Sequence, residues 1–469
     1  MKSIRFATFL PLVLLVALTS FGQSFRGALR GEVKDASGAS IAGATISARN
    51  VQTALIRTDT TSADGSYVIS ELPSGSYEVT ATGANLQPVR LAAKVDVGAD
   101  TVLDFTLGKV AQVVQTVEVQ ASSALLDPTQ DTLSQVIENK LAIDLPLNGR
   151  DFGKLVALTP GVTVEGSGVA GTEKGFGQFN INGNRDRSNN YLLDGTDNND
   201  PFFNNSALNQ VGITGVPASL LPIDAIEEFN LQTQATAEYG RNSGAAVNVI
   251  TKSGGNNFHG SVFEYLRNSE LDARNYFNDK PSPHSPFKNN QFGASLGEPI
   301  VHDRTFFFGA YEAQRERVTS DFLLGAPTTA QIAAAEADAG GAASVNPALV
   351  KALNYYPTAT AVDPGTGNGT AEVAVPDKSD LNSAIIKVDH QFTPNETLTG
   401  RYAYSGGNQR YLLGGTSYGG GSRLSEFAQL SPTRVQVVSA SLLSVFSTRK
   451  LNELRFGYSR YRTSVVRHK

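Results

Sequence analysis

Carboxylates are the first place to look for chemistry, because Asp194, Asp197 and Asp200 recur every third residue around Gly195 and Asn198-Asn199. Oxygen donors this dense could hold a calcium ion. The spacing is not that of an EF-hand, and short carboxylates beside Gly and Asn also cap polar turns through the local backbone. Gly166-Ser167-Gly168-Val169-Ala170-Gly171 matches G-x-G-x-x-G. A dinucleotide loop must leave a strand and open a helix, and the stretch from Thr172 to Asn184 is no helix former. The histidines His259, His284, His302, His390 and His468 never stand four apart as zinc ligands on a helix would, and none adjoins a serine elbow or paired carboxylates. The chain has no cysteine, so disulfides and thiolate metal sites do not exist. No catalytic, cofactor or metal site is predicted. What remains is backbone chemistry. Val110 to Gln120 is an extended, β-branched run between domains, and an unpaired strand offers its donors and acceptors to a partner's sheet. The same run could instead be a last sandwich strand or a plain linker.

The elements around these residues read as β structure in an exported chain. At 469 residues there is room for two to four domains. A formal charge of -5 gives no polybasic signature, so nucleic acid is not expected as a partner. With 45 Gly, one Met and no Trp, turns and strands are favoured over a helical core. Lys2 and Arg5 precede an apolar run from Phe6 to Leu18, and the small residues Ser20 and Gly22 precede a cut before Gln23. That is the pattern of a cleaved secretory signal, 1–22, and the run is shorter than the ~20 residues of a membrane anchor. No later stretch reads as a transmembrane helix.

From Phe25 to Gly108, turn signals recur about every ten residues: Asp35 to Gly38, Asp64-Gly65, Pro73-Ser74-Gly75 and Gly83. Alternating runs such as Thr45 to Ala48 and Tyr77 to Thr80 lie between them, which predicts a β-sandwich over 23–109. The strings GEVKDASGASIAGATISARN and TSADGSYVISELPSGSYEVTATG resemble the carboxypeptidase regulatory-like domain. The resemblance implies a transthyretin-like sandwich of structural or adhesive role, without peptidase activity. Related sandwiches bind carbohydrate, but no Trp or Tyr platform is visible here.

Between 125 and 255, LPLNGRDFGKLVALTPGV contains a turn at Asn148-Gly149 and a short helix with Phe152, Leu155, Val156 and Leu158 at helical spacing, stopped by Pro160-Gly161. FNINGNRDRSNNYLLDGTDN reads as two strands joined by a polar turn, and the string from Ile223 to Ser261 carries a strand at Ala246 to Thr251. In order and spacing these strings resemble the α+β plug of TonB-dependent outer-membrane receptors, in the Oar-like group that also carries the regulatory-like domain. The resemblance implies a plug seated in a barrel and gating a substrate path. It also implies a box just before the plug that pairs with TonB, for which Gln115, Thr116, Val117, Glu118 and Val119, within a linker over 110–124, are the candidates.

Past 255 the rhythm changes to seven strand-like runs: Phe258–Arg267, Lys288–Gly297, Arg304–Gln314, Ser383–Phe392, Thr397–Ser405, Arg434–Phe446 and Leu451–Tyr461. Ile386, Val388 and Phe392 oppose Lys387, Asp389 and Gln391; Leu398, Tyr402 and Tyr404 oppose Thr397, Thr399, Arg401 and Ser405; Leu454, Phe456 and Tyr458 oppose Glu453, Arg455 and Ser459. Connections alternate long and short, as the loops and turns of outer-membrane barrels do. Phe306, Phe307 and Phe308 are expected on the lipid face or in its aromatic girdle. A plugged barrel has ~22 strands, so the chain is expected to be a fragment that stops within its barrel.

The expected fold is mainly β: a sandwich, an α+β plug and the first part of an antiparallel transmembrane barrel over 256–469. The expected function is energised uptake at the cell outer membrane, with TonB and membrane lipid as partners and an oligosaccharide, peptide or siderophore as substrate. The alternatives are a surface adhesion protein and a periplasmic carbohydrate-binding module.

Overall fold

The computed structural model describes residues 26–108, 134–145, 147–164, 179–210, 212, 217–233, 242, 244–273, 286–363, 365, 367–411, 428–447 and 450–467. The signal segment, Gln115–Val119 and the glycine-rich 166–171 lie outside them.

The first unit is built from alternation. In Gly75–Thr82, the residues Tyr77, Val79 and Ala81 are buried while Ser76, Glu78 and Thr80 face away. Eight strands result: β1 (Gly27–Asp35), β2 (Thr45–Asn50), β3 (Ile56–Thr60), β4 (Ser66–Leu72), β5 (Gly75–Thr82), β6 (Val89–Val95), β7 (Asp100–Val102) and β8 (Phe105–Leu107). They form two sheets, β3-β2-β5-β6 and β4-β1-β7 with β8 also on β1. Leu29, Ile46, Leu72, Val79 and Phe105 are among the side chains closing the core between the sheets. Each fully buried aliphatic or aromatic side chain contributes about 1.5–3 kcal/mol. The Asp64-Gly65 turn needs its glycine, which has φ +82° and stands against the Val33 carbonyl.

The second unit is a mixed sheet, β13-β12-β15-β14-β9, with a separate pair β10-β11. Its strands are β9 (Ser134–Glu138), β10 (Val162–Val164), β11 (Phe179–Ile181), β12 (Asn190–Leu193), β13 (Thr196–Asp197), β14 (Ile226–Gln232) and β15 (Ala246–Thr251). The predicted helix is present but shorter, Gly153–Val156. Phe152, Leu155 and Val156 are buried, whereas Leu158 is exposed because the helix has ended before it.

The third unit is one antiparallel sheet of long strands: β16 (His259–Asn268), β17 (Phe287–Val301), β18 (Thr305–Gly325), β20 (Gly369–Thr393), β21 (Glu396–Tyr411), β22 (Gln429–Ser447) and β23 (Lys450–Thr463). The two-residue strands β19 (Ala361–Val362) and β24 (Val466–Arg467) attach to β20 and β22. The order along the sheet follows the chain, as in a meander barrel. β18 has 21 residues and β20 has 25, well beyond the ~9–11 that cross a bilayer. The strands continue into what reads as loop in the sequence, and the predicted loop 318–382 narrows to 326–368. Inside it two short helices stand, Thr329–Asp338 and Pro347–Leu353.

The two faces of this sheet differ in kind. Ile386, Leu398, Tyr402, Leu454, Phe456 and Tyr458 are exposed, while Lys387, Thr397, Arg401 and Ser405 are buried, Lys387, Arg401 and Ser405 against the second unit. This agrees with the alternation read from the sequence. The aromatic run is a correction. Phe306 and Phe308 are each 1% exposed, and Phe308 packs in the core of the second unit with Ala310, Ile385 and Val437. Strand alternation turns both inward, and of the three only Phe307 is left for the outer face.

Candidate functional site: the charged contact between the second unit and the long-stranded sheet

The second unit is held to the inner face of the long-stranded sheet at two clusters of buried charge. The first centres on Asp194, in the turn after β12. That turn is left-handed at both Asp194 (φ +43°) and Gly195 (φ +69°). Its carboxylate accepts from the Thr251 amide at 2.8 Å and the Thr251 hydroxyl at 2.6 Å, pairs with Arg401 of β21 and lies 4.0 Å from Lys387 Nζ of β20. Lys387 Nζ donates to the Thr251 carbonyl at 2.9 Å. Arg455 of β23 donates to the Gly195 carbonyl at 3.1 Å and pairs with Glu453 at 2.6 Å. Burial alone would push the Asp194 carboxyl up, but Lys387, Arg401 and the Thr251 hydrogen bonds outweigh it and hold the group below the usual carboxylate range.

The second cluster centres on Arg150, at the end of the predicted Asn148-Gly149 turn, where Gly149 (φ +75°) and Arg150 (φ +53°) are both left-handed. Its guanidinium pairs with Asp224 at 2.5 Å and with Glu312 of β18 at 3.2 Å. The rings of Phe263 and Tyr265, alternate residues of β16, lie 4.2 and 4.7 Å from it. Asp224 also accepts from the Ser261 hydroxyl at 2.7 Å. Neutral contacts continue the seam: the Leu220 amide donates to Ser405 Oγ, Ser383 Oγ donates to the Leu220 carbonyl, and Gln409 donates to the Pro217 carbonyl.

The carboxylate triplet singled out in the sequence does not converge. Asp194 turns to Thr251 and Arg401, and Asp197 accepts from the Asn199 amide. Asp200 accepts from the amides of Phe202, Phe203 and Asn205 and from the Gln210 side chain. Among the described residues no cluster of three or more His, Asp or Glu is placed to hold a metal. The candidate strand Gln115–Val119 falls outside the described residues. Sequence reasoning recognised Lys387 and Arg401 only as polar-face residues and gave Arg150, Asp224 and Glu312 no role. The available signal was cationic side chains on the inward face of strands, opposite an Asp-Gly turn.

Comparison with known proteins agrees with this division. Residues 28–108 match the carboxypeptidase regulatory-like domain, 130–247 the TonB-dependent receptor plug domain and 250–469 the outer membrane beta barrel domain. The chain is 29% identical over 275 residues to the TonB-dependent transporter Oar of Myxococcus xanthus, covering 54% of this chain and 23% of that protein. Among solved structures, a ferric enterobactin receptor from Pseudomonas aeruginosa aligns over 71% of this chain and 42% of its own, with 15% identity and a TM-score of 0.41. The siderophore receptor PirA from Acinetobacter baumannii aligns over 72% and 45%, with 16% identity and a TM-score of 0.38. The chain thus spans about a quarter of the curated relative's length and less than half of these solved relatives.

Proposed function

Because the chain carries the plug and outer-membrane β-barrel domains of the TonB-dependent receptors, and so lies in the outer membrane, we propose that it serves TonB-energised uptake of an external substrate and is not an enzyme. The observation that carries this reading is the seam just described. A plug must stay seated, yet leave when pulled. Removing one member of a buried ion pair strands its partner and costs about 3–5 kcal/mol. Withdrawing both members together into water returns their hydration, so the same contacts hold against thermal motion and release under directed force.

In this reading residues 1–22 direct export and 110–124 link the sandwich to the plug. Gln115, Thr116, Val117, Glu118 and Val119 add a strand to the TonB sheet, and pulling on them loosens the plug. The substrate is an oligosaccharide, a peptide or a siderophore. The test is deletion of Gln115–Val119 in the expressed gene, with uptake from a panel of these three classes measured against a host lacking TonB. Uptake equal to that of the TonB-deficient host, at unchanged outer-membrane abundance, is expected. TonB-independent uptake, or surface attachment unaffected by the deletion, would favour an adhesin instead.

A further inference from the structure

The N-terminal sandwich is not simply tethered. Two of its loops and the start of β3 meet the barrel and plug at one end, and it is the end with the short turns. At the first, the Asn256 amide donates to the Gln52 carbonyl at 2.8 Å. The Asn256 side chain exchanges two hydrogen bonds with Asp303, in the β17–β18 turn. At the second, Arg57, 5% exposed, donates to Asn395 in the β20–β21 turn at 3.0 Å. At the third, plug side chains hold both polar groups of Val97. Its amide donates to Glu228 Oε1 at 2.8 Å, and its carbonyl accepts from Asn230 at 2.9 Å. Glu228 and Asn230 are alternate residues of β14, so they share one face. All three backbone or side-chain partners in this third contact are nearly inaccessible to water.

These segments roof a cavity of about 160 Å³ whose wall comes from all three units. The sandwich supplies Asn50, Thr53 and Pro73, the plug Thr251 and Ser253, and the barrel Thr399 among others. Short turns of outer-membrane barrels face the periplasm. The cavity is therefore at the periplasmic outlet of the lumen, beside the Asp194 cluster.

We infer that the sandwich is a stopper seated on the periplasmic mouth, recognised there by the Val97 peptide, Gln52 and Arg57, and that it must leave this seat before the lumen can empty. Two features suit a removable seat. The contacts are a few separate hydrogen bonds rather than a strand added to a sheet. The Nε and Nη2 of Arg57 have no hydrogen-bond partner among the described residues, so undocking restores their hydration.

The inference rests on the lumen being a passage, but its test reads the cover directly and needs no substrate. The natural chain has no cysteine. A β-carbon on Gly255 would stand 3.4 Å from the Gln52 β-carbon, close to the ~3.5–4.5 Å of a disulfide. In the first arm, the Gln52→Cys/Gly255→Cys protein in lipid is expected to oxidise to a reducible staple, seen as a mobility difference on non-reducing gels. In the second, Ser441→Cys places one thiol on the cavity wall, and a bulky maleimide-polyethylene glycol is added. Labelling is expected to be slow, and to quicken roughly tenfold when Glu228→Ala and Asn230→Ala remove the Val97 contacts. A cysteine pair that stays reduced under oxidant, or a Ser441→Cys thiol labelled equally fast with and without the Val97 contacts, overturns the stopper. TonB-independent uptake in the deletion experiment above would overturn the transport reading and leave these two outcomes unchanged.

Discussion

At the scale of single residues, the plug is held by charges whose partners lie far apart in the chain. Asp194 and Arg401 are separated by 207 positions, and Arg150 and Glu312 by 162. No local pattern announces such pairs, because each member reads as an ordinary polar residue. Asp194→Asn removes the anion and leaves Arg401 and Lys387 facing a neutral amide, which costs about 3–5 kcal/mol of plug seating. Thermal unfolding in detergent should show it as a lower Tm. The pH response follows from the depressed Asp194 carboxyl. Its contribution is complete above its unfolded value of about 3.9 and is lost as pH falls through the lower folded value. Seating should weaken only at strongly acid pH, and Asp194→Asn should abolish that acid limb. Glu228 goes the other way. Burial, with Asp96 and Glu227 nearby, pushes it up to about 8, against the Val97 amide and the Ser74 side chain, which favour the charged form. The neutral carboxyl is then the seated form, so sandwich docking declines as pH rises from about 4.3, the usual glutamate value, through about 8. Glu228→Gln should keep the sandwich docked at pH above that range, measured as hydrogen exchange at the Val97 amide. A variant that exchanges as fast as the wild type there would contradict the assignment.

At the scale of elements, the sandwich and the strand rhythm were legible because their determinants are local. Asp64-Gly65 sets a turn by itself, and Lys387/Ile386 or Arg401/Tyr402 declare two faces by alternation. Local pattern fails where it is degenerate. Three consecutive phenylalanines, Phe306 to Phe308, satisfy either facing, and only the plug's apolar surface decides that the first and third point inward. Strand ends were misjudged for a related reason. β22 continues through Pro432 and β20 through Pro376, residues that read as loop punctuation. Inter-strand pairing carries the backbone beyond them, with Pro432 opposite Asn408. The facing itself can be measured. Ile386→Arg puts a charge on the outward face of β20, and if that face meets lipid the cost is about 2–4 kcal/mol near the midplane. Urea unfolding in lipid vesicles should register that loss, whereas an exposed face in water would tolerate the change within about 0.5 kcal/mol.

At the scale of the whole molecule, three units with different surfaces form one device across a membrane. The sheet offers apolar side chains outward and polar ones inward, the plug fills the inward side through paired charges, and the sandwich sits on the short-turn end. The plug is recognisable from wording because its turns are fixed by Gly, Asn and Pro at set offsets. How the units seat on one another is not recognisable, since Gln52, Arg57 and Val97 are unremarkable in sequence and acquire a role only when Asn256, Asn395 and Glu228 are brought to them. Everything depends on the sheet crossing the bilayer with its two sets of connections on opposite sides. Single cysteines in this cysteine-free chain test that most directly, with Tyr355→Cys in the long β18–β20 loop and Asn395→Cys in the short β20–β21 turn. A membrane-impermeant maleimide applied to intact cells should label Tyr355→Cys at once and Asn395→Cys only after the outer membrane is opened. Labelling of both in intact cells, or of Asn395→Cys alone, would contradict the account.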